Sequence, residues 1–298
     1  MNDRKRNLPG RRIQFNTMTR MAILLIAGTL TMQYSTVKGQ SRLATDEEIG
    51  LFMNSTTCLV LEDGYISYNI LMKDAVEKYW EITDFEVIDK KEFEERRIDP
   101  QYSFLVLIKG SFEDDPAGVQ YNYLNLLMGK NAVEVQYMPE LASIPLSYSN
   151  DQEVDYAHAV PAIIQFVQRH VRTMKSKRAH LNMLGLTYYN QSRNFKDKSL
   201  LLREDHMAPE VNTASAIKDV YPFHFRLLDA EEMLTELEGP KKNTLFLHHV
   251  GPQEEGVAGQ CFELIFTRDG ELYYYNKRQV TNENPDGFTK WELRRIRF

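Results

Sequence analysis

The chain has 298 residues, with 36 Lys and Arg, 42 Asp and Glu, and a formal net charge of −6. An acidic balance argues against nucleic acids and anionic membrane surfaces as partners, because both attract basic patches. Cys58 and Cys261 are too few for a disulfide framework, and both lie in apolar, strand-like runs. A free cysteine in such a run behaves as a small hydrophobe, so we expect both to be unpaired.

The amino terminus has the pattern of a secretory signal peptide. Six basic residues precede an apolar run at 21–32, and a polar stretch at 33–40 follows it. The apolar run is shorter than the roughly 20 residues that a membrane span needs. Removal of residues 1–40 leaves 29 basic and 41 acidic residues, a net charge of −12. We predict a periplasmic or secreted protein with no integral membrane segment after cleavage; an uncleaved anchor and a start at Met18 or Met21 are the alternatives.

The order of predicted elements recurs along the chain. The first copy comprises segments 58–63, 69–80, 84–89, 90–97, 103–110, 121–129 and 132–137. The second copy comprises segments 199–205, 211–221, 223–229, 230–239, 244–251, 261–270 and 271–276. Gly110 and Gly251 are 141 residues apart, as are Gly129 and Gly270. This constant offset indicates a tandem duplication.

Each copy reads β-α-β-α-β-β-β-α, because a helix is predicted at 160–174 in the first and at 287–298 in the second. Strands that alternate with helices and then follow one another predict a mixed sheet, parallel on one side and antiparallel on the other. We therefore predict an α/β protein, with α+β as the alternative. Its predicted parts are the signal peptide at 1–40 and two repeats at 41–185 and 186–298.

Three short motifs predict helix starts. Thr or Asp is followed three residues later by Glu at 45–48, 89–92 and 229–232. In a capping box the first side chain accepts from the backbone N–H of the Glu, and the Glu side chain accepts from the first residue's N–H. We expect these residues to cap helices.

The repeated unit resembles a periplasmic α/β unit found in two kinds of envelope protein, and the resemblance covers both copies. A helix containing AVEKYW, a strand ending in FEVID, an acidic helix, and the strands YSFLVLIKG and YNYLNLLMG carry this likeness. They resemble the periplasmic domain of the curli-secretion channel and the amino-terminal domain of the Tol translocation protein. The leader ending in Lys-Gly-Gln is similar to those of exported Bacteroidota proteins. The resemblance implies a domain that binds other envelope proteins, but no channel, since the apolar run is followed by no cysteine for lipidation and the repeats by no propeller.

Paired acidic residues follow the first predicted strand of each copy. They are Glu62 and Asp63 in the first copy, and Glu204 and Asp205 in the second. The carboxyl ends of parallel strands are where α/β sheets place ligands, so these carboxylates are candidates for holding a cation or for general acid and base catalysis. The alternative is that they cap the next helix or are solvated in a turn.

Other motifs for chemistry are weak. His248 and His249, with His206 or His224, suggest a metal site, but adjacent residues on a strand point to opposite faces and cannot easily share one ion. The sequence has no HxH, HExxH, paired CxxC, GxSxG or phosphate-binding glycine motif, and neither cysteine has a histidine nearby. We therefore predict no metal, cofactor or catalytic residue from sequence motifs.

Three consecutive tyrosines mark one predicted strand. Tyr273, Tyr274 and Tyr275 are candidates for an interface, since tyrosine buries area while keeping a polar tip. The alternative is that they belong to the core.

The sequence favours a non-enzymatic periplasmic envelope protein that acts as a protein-interaction or scaffolding module. Its partner would be another envelope protein or a second copy of the chain. The alternative is a hydrolase or metal-dependent enzyme that uses the acidic residues after the first strand of each repeat.

Overall fold

A computed structural model describes residues 42–116, 118–148, 155–191, 193–238, 243–252 and 257–297. The predicted signal peptide at 1–40 lies outside these residues. The described residues belong to one compact unit. Within those ranges, no helix combines the length and the apolar character needed to cross a bilayer.

The first half of the chain forms a mixed five-stranded sheet, termed the first sheet. Its strands are β1 (Thr56–Val60), β2 (Phe85–Ile88), β3 (Tyr102–Gly110), β4 (Tyr121–Met128) and β5 (Glu140–Tyr148). Its helices are α1 (Asp46–Phe52), α2 (Ile66–Tyr79), α3 (Lys90–Arg96) and α4 (Val160–Leu184). The strand order is β2-β1-β3-β4-β5, in which β1 is parallel to both neighbours and the β3–β4 and β4–β5 pairs are antiparallel.

The second half repeats this topology in the second sheet. Its strands are β6 (Ser199–Arg203), β7 (Phe225–Leu228), β8 (Thr244–Val250), β9 (Gly259–Thr267) and β10 (Leu272–Val280). Its helices are α5 (Ala214–Lys218), α6 (Ala230–Glu238) and α7 (Lys290–Arg295). The order β7-β6-β8-β9-β10 matches the first sheet strand for strand. The predicted pair of tandem α/β units with mixed sheets is confirmed.

The last strand of the first copy does not lie where the sequence predicts it. Residues 132–137 form no strand; they end in a 3-10 turn at Val135–Tyr137, and Val133 is 87% exposed. The strand is instead β5, whose Pro145 stands opposite Tyr123 beside a shift of register. Because β5 is at the edge of the sheet, the missing N–H of a proline is tolerated there.

Helix α4 is longer than the predicted helix at 160–174. It continues to Leu184 across a non-helical residue, Lys177, with φ −129°. Eleven of its residues are buried, among them Phe166 and Val167. It packs against α2, so the two helices lie together in the core.

Three apolar clusters form the core, and the side chains of β6 show how they are separated. Leu201 belongs to a central cluster that also contains Leu59 of the first sheet and residues of α4. Leu200 and Leu202 point the other way into a cluster confined to the second half. The first sheet has its own outer cluster, which includes Phe104. Each fully buried Leu or Phe of this kind contributes about 1.5–3 kcal/mol to folding.

The predicted capping motifs are confirmed. Both hydrogen bonds of a capping box are present at 45–48 before α1 and at 89–92 before α3. The same two bonds join Asp229 and Glu232 at the start of α6. A fourth capping box, which the sequence analysis does not single out, joins Thr289 and Glu292 at α7.

Candidate metal centre

A buried polar cluster lies where β6 and β8 end. These strands are parallel, and their carboxyl ends meet at one edge of the second sheet. The ring centres of neighbouring histidines are 5.2 Å apart for His249 and His206, 6.2 Å for His206 and His158, and 5.9 Å for His158 and His248. Burial lowers the pKa of His158 and His206 to about 4 and that of His248 to about 3, so these three rings are neutral near pH 7.

The Cys261 cluster consists of His249, Cys261, Glu263 and Asp286. His249 stands opposite Glu263 in the β8–β9 register, and Cys261 lies two residues before Glu263 on the same face of β9. Glu263 Oε1 is 3.0 Å from His249 Nδ1 and 3.0 Å from Cys261 Sγ, and Sγ is 3.7 Å from Nδ1. On the other side of the ring, His249 Nε2 donates to Asp286 Oδ2 at 3.3 Å.

Asp286 reaches His249 because the residue after β8 is a glycine. A Cβ atom on Gly251 would lie 2.2 Å from Asp286 Oδ1, closer than real contacts permit. The segment between β10 and α7 can therefore bring its carboxylate against the end of β8 only while residue 251 has no side chain.

The Cys261 cluster is buried and charged. Cys261 and Glu263 are 0% exposed, and His249 is 4% exposed. Burial alone would lower the pKa of His249, but Glu263 and Asp286 raise it well above its ordinary value. Burial raises the pKa of the Cys261 thiol, and Glu263 raises it further. In this state the ring is an imidazolium between two carboxylates, and the thiol is protonated.

Cys261, His249 and Asp286 have the order of a nucleophile, a base and an orienting acid. An activated cysteine, however, is a partly exposed thiolate in electropositive surroundings. Cys261 is fully buried, and its nearest polar neighbour is a carboxylate. The cluster therefore does not have the properties of a nucleophilic triad.

The same atoms fit a tetrahedral metal ion. Zinc bonds of about 2.0–2.3 Å place the donor atoms about 3.3–3.6 Å apart, close to the 3.0–3.7 Å observed between Nδ1, Sγ and Oε1. His249, Cys261 and Asp286 also offer donor atoms within 4.8 Å of one another. Asp286 approaches Nε2, whereas Cys261 approaches Nδ1, so an ion bound here would take Glu263 as its carboxylate. Asp286 then orients the ring from its other nitrogen, as carboxylates commonly do for metal-bound histidines.

A second acidic group nearby is already neutralised. Asp155, Asp205 and His206 offer donor atoms within 4.8 Å of one another. Buried Arg203 pairs with Asp155 at 2.5 Å and with Asp205 through a short charge-assisted hydrogen bond, and His206 Nε2 lies 3.2 Å from Asp155. A guanidinium between both carboxylates neutralises them, so these two carboxylates do not serve as metal ligands, and we assign Arg203, Asp155 and Asp205 an anchoring role.

Of the four acidic residues predicted after the first strands, only Asp205 joins the polar cluster. Glu62 is buried and pairs with Lys90 at 2.6 Å. Asp63 and Glu204 are exposed. The second predicted pair therefore contributes one residue to this edge of the sheet, and it does so through Arg203.

The three tyrosines of β10 do not alternate strictly, because the strand has a register shift between Leu272 and Tyr274; Tyr273 and Tyr274 pack against the second-half cluster and Tyr275 against the central cluster. Tyr274 is buried, with its ring centre 6.3 Å from that of Phe288. Tyr273 packs on Phe195 at 5.8 Å, and the Tyr275 backbone N–H donates to Asn190 Oδ1 at 2.7 Å. Their predicted role in an interface stays a prediction.

His248 and His249 are oriented as their spacing predicts. His248 and His249 do point to opposite faces, but each has its own set of polar neighbours, so no shared ion is required. His206 joins the cluster, whereas His224 is exposed beside Ser199. The sequence does offer one signal, the predicted β8–β9 hairpin. Its register places Glu263 opposite His249, and Cys261 lies on the same face of β9 as Glu263.

Both cysteines are free and buried, as expected. Cys58, in β1, donates to Glu86 Oε1 at 3.5 Å.

Searches of the chain against protein-family models, curated proteins and solved structures found no match. The likeness to envelope domains stays a prediction.

Proposed function

We propose that this protein binds a divalent transition-metal ion, such as Zn²⁺, in the Cys261 cluster. The observation that carries the proposal is the convergence of an imidazole nitrogen, a thiol sulfur and a carboxylate oxygen within 3.0–3.7 Å of one another. Nitrogen, sulfur and oxygen donors together suit zinc better than calcium or magnesium, which prefer oxygen alone.

The charges of the cluster support an ion at this place. A divalent cation would replace one proton on His249 and the thiol proton of Cys261, so the buried net charge would stay the same. Arg278, which stands opposite Cys261 in the β9–β10 register, offsets part of the remaining negative charge. The cluster therefore accepts a metal ion without leaving an uncompensated charge in the core.

A second observation points the same way. Glu263 Oε2 is buried and has no hydrogen-bond partner among the residues that the structure describes. A buried carboxylate oxygen without a partner costs about 1–3 kcal/mol or more. An ion that Glu263 bound through both of its carboxylate oxygens would satisfy it.

The test is a cobalt titration of the full chain after removal of metal with a chelator. Co²⁺ bound by a thiolate gives a charge-transfer absorption band, which we expect in the native protein. Cys261→Ser should abolish the band, and Glu263→Gln should weaken binding by about 10-fold to 100-fold or more.

Cys58→Ser is the matched control. Cys58 is also a buried strand cysteine that donates to a glutamate, but no histidine appears among its polar partners. The band should therefore be unchanged in this variant. A native chain that gives no band, or a band that persists in Cys261→Ser, would sink the proposal.

The interaction or scaffolding role predicted from the sequence stays a prediction, as does a hydrolytic activity. A metal ion in the Cys261 cluster is compatible with either role.

A further inference from the structure

A small cavity lies beside the Cys261 cluster, where β6 and β8 end. Its volume is about 10 Å³, enough for one water molecule or one small ion. It is lined by Leu146, Ser147, Asp155, Tyr156, His158, His206, His248 and His249. We term it the histidine cavity.

Hydrogen bonds fix the tautomers of three of these histidines. His158 Nδ1 lies 3.1 Å from the Asp155 carbonyl oxygen, and His206 Nε2 lies 3.2 Å from Asp155 Oδ2. His248 Nε2 lies 3.2 Å from the Pro145 carbonyl oxygen. Carbonyl and carboxylate oxygens only accept hydrogen bonds, so each of these nitrogens carries the proton. In a neutral ring the other nitrogen then carries no proton and offers a lone pair as an acceptor.

Those lone pairs have no donor. His158 Nε2, His206 Nδ1 and His248 Nδ1 are buried, and no residue in the described part of the chain donates to them. A single water donates only two hydrogen bonds and cannot satisfy three acceptors. A metal ion can, and histidines that bind metal have this arrangement, with one nitrogen on a carbonyl or carboxylate and the other on the ion.

We infer that the histidine cavity is a second transition-metal site, in which His158, His206 and His248 bind an ion such as Cu²⁺ or Zn²⁺ through nitrogen alone. A tetrahedral ion with bonds of about 2.0–2.1 Å to nitrogen places ring centres about 5.2 Å apart. The spacings of His158 from His206 and from His248, 6.2 Å and 5.9 Å, exceed this value by about 1 Å or less, so both rings must move closer to His158 on binding.

The histidine cavity adjoins the Cys261 cluster through His249, but its three proposed ligands are different and it has its own route to the surface. None of its three ligands belongs to that cluster. His158 and Ala157 also line a wide, open cavity of about 560 Å³, whose walls include residues of α2, α4 and α6. An ion can therefore reach His158 without passing through the Cys261 cluster.

Native mass spectrometry of the full chain with Zn²⁺ counts the bound ions. The native protein should bind two. His158→Gln and His248→Gln should each bind one and keep the cobalt–thiolate band of the Cys261 cluster. Cys261→Ser should also bind one, and with Cu²⁺ its electron paramagnetic resonance should show nitrogen ligands alone. The affinity for the second ion should fall by more than about 100-fold in the histidine variants.

His170→Gln is the control for loss of a buried histidine. His170 bonds to Tyr189 at 2.8 Å and does not line the cavity, so this variant should still bind two ions. A native protein that binds one ion, lost in Cys261→Ser and kept in His158→Gln, would overturn the second site and leave the first intact. One ion lost in His158→Gln and kept in Cys261→Ser would do the reverse, and a protein that binds none would overturn both.

Discussion

The two sheets share one strand order, but they differ in the charged groups buried where their strands end. The first sheet buries Glu62, which pairs with Lys90, whereas the second buries Arg203, His249 and Glu263. Ile108 in β3 and His249 in β8 occupy equivalent positions. Each lies two residues before a glycine, Gly110 or Gly251, near the end of the third strand of its sheet. Ile108 stands opposite Tyr123, whereas His249 stands opposite Glu263. The first copy thus builds the same hairpin without a charge at this position.

The difference extends to the end of the first strand in each sheet. The residue before the predicted acidic pair is Leu61 in the first copy and Arg203 in the second. Burying ion pairs is often no more favourable than apolar packing of the same volume. The strand order does not depend on these charges, because the first half has no counterpart of His249, Glu263 or Arg203 at the equivalent positions.

The largest expected effect comes from giving β8 the residue of β3. His249→Ile should lower the free energy of unfolding of the metal-free protein by about 3–5 kcal/mol, because Glu263 and Asp286 lose their counter-charge. Adding Glu263→Leu and Asp286→Asn should recover most of this loss, since the buried charges are then removed together. Urea denaturation measures both changes.

Ile108→Val is the control, because it changes the side chain at the equivalent position of the first sheet. It should cost about 1 kcal/mol or less, because Ile108 is only half-buried. If His249→Ile costs no more than Ile108→Val, the two edges are equivalent and the comparison fails.

The capping boxes before α1 and α7 allow a sharper comparison, because the pKa values of their glutamates, Glu48 and Glu292, are shifted in opposite directions. Burial would raise the pKa of Glu48, but Thr45, Lys130 and Arg42 lower it to about 2. Burial raises the pKa of Glu292 to about 7, with the nearby charge of Glu263 adding to the shift. The stability supplied by Glu292 is fully present below its unfolded pKa of 4.5 and is lost as the pH rises through about 7.

Glu292→Gln should therefore remove a slope in the unfolding free energy between pH 4.5 and 7. At about 1.4 kcal/mol per pKa unit, the difference between native protein and variant should change by up to about 3 kcal/mol. Glu48→Gln is the matched variant, since Gln preserves a capping box. The slope that Glu48→Gln removes should have the opposite sign and lie below pH 4.5, because the stability supplied by Glu48 is lost as the pH falls from 4.5 through about 2. Slopes of the same sign in the two variants would contradict these shifts.

The smallest effect comes from the paired glycines after β8 and at the end of β3. Gly251→Ala should push Asp286 away from His249 and weaken metal binding by about 10-fold to 100-fold, a typical result of losing a partner behind a ligand. Gly110→Ala should leave metal binding unchanged, because its Cβ would meet only the side chain of Tyr123, at 3.1 Å. Equal affinities in the two variants would show that Asp286 does not support the ligand set.

The topology could be predicted from the sequence because it occurs twice. Each half has the same series of apolar runs and helix starts, so one copy supports the interpretation of the other. The error at 132–137 arose because AVEVQY alternates like a strand, whereas β5 contains Pro145, which is rare in strands away from an edge.

The site could be predicted only in part. Its residues come from the segment before α4, the end of β6, β8, β9 and the segment before α7, so local spacing does not show them together. The pair of His249 and Glu263 was within reach, since it follows from the register of one hairpin. The contact of Asp286 with His249 depends on the conformation of the loop between β10 and α7, which hydrophobic periodicity does not predict.

The central apolar cluster has a consequence for how the molecule opens. It joins Leu59, α4 and Phe246 in one continuous core, and the Tyr121 hydroxyl of β4 accepts from the backbone N–H of Gln260 in β9. Neither half can lose its structure without exposing the other, so the two copies unfold as one cooperative unit. Ligand binding stabilises every residue of such a unit. An ion held at the second sheet would therefore slow hydrogen exchange in the first sheet as well, although the first sheet contributes no ligand to it.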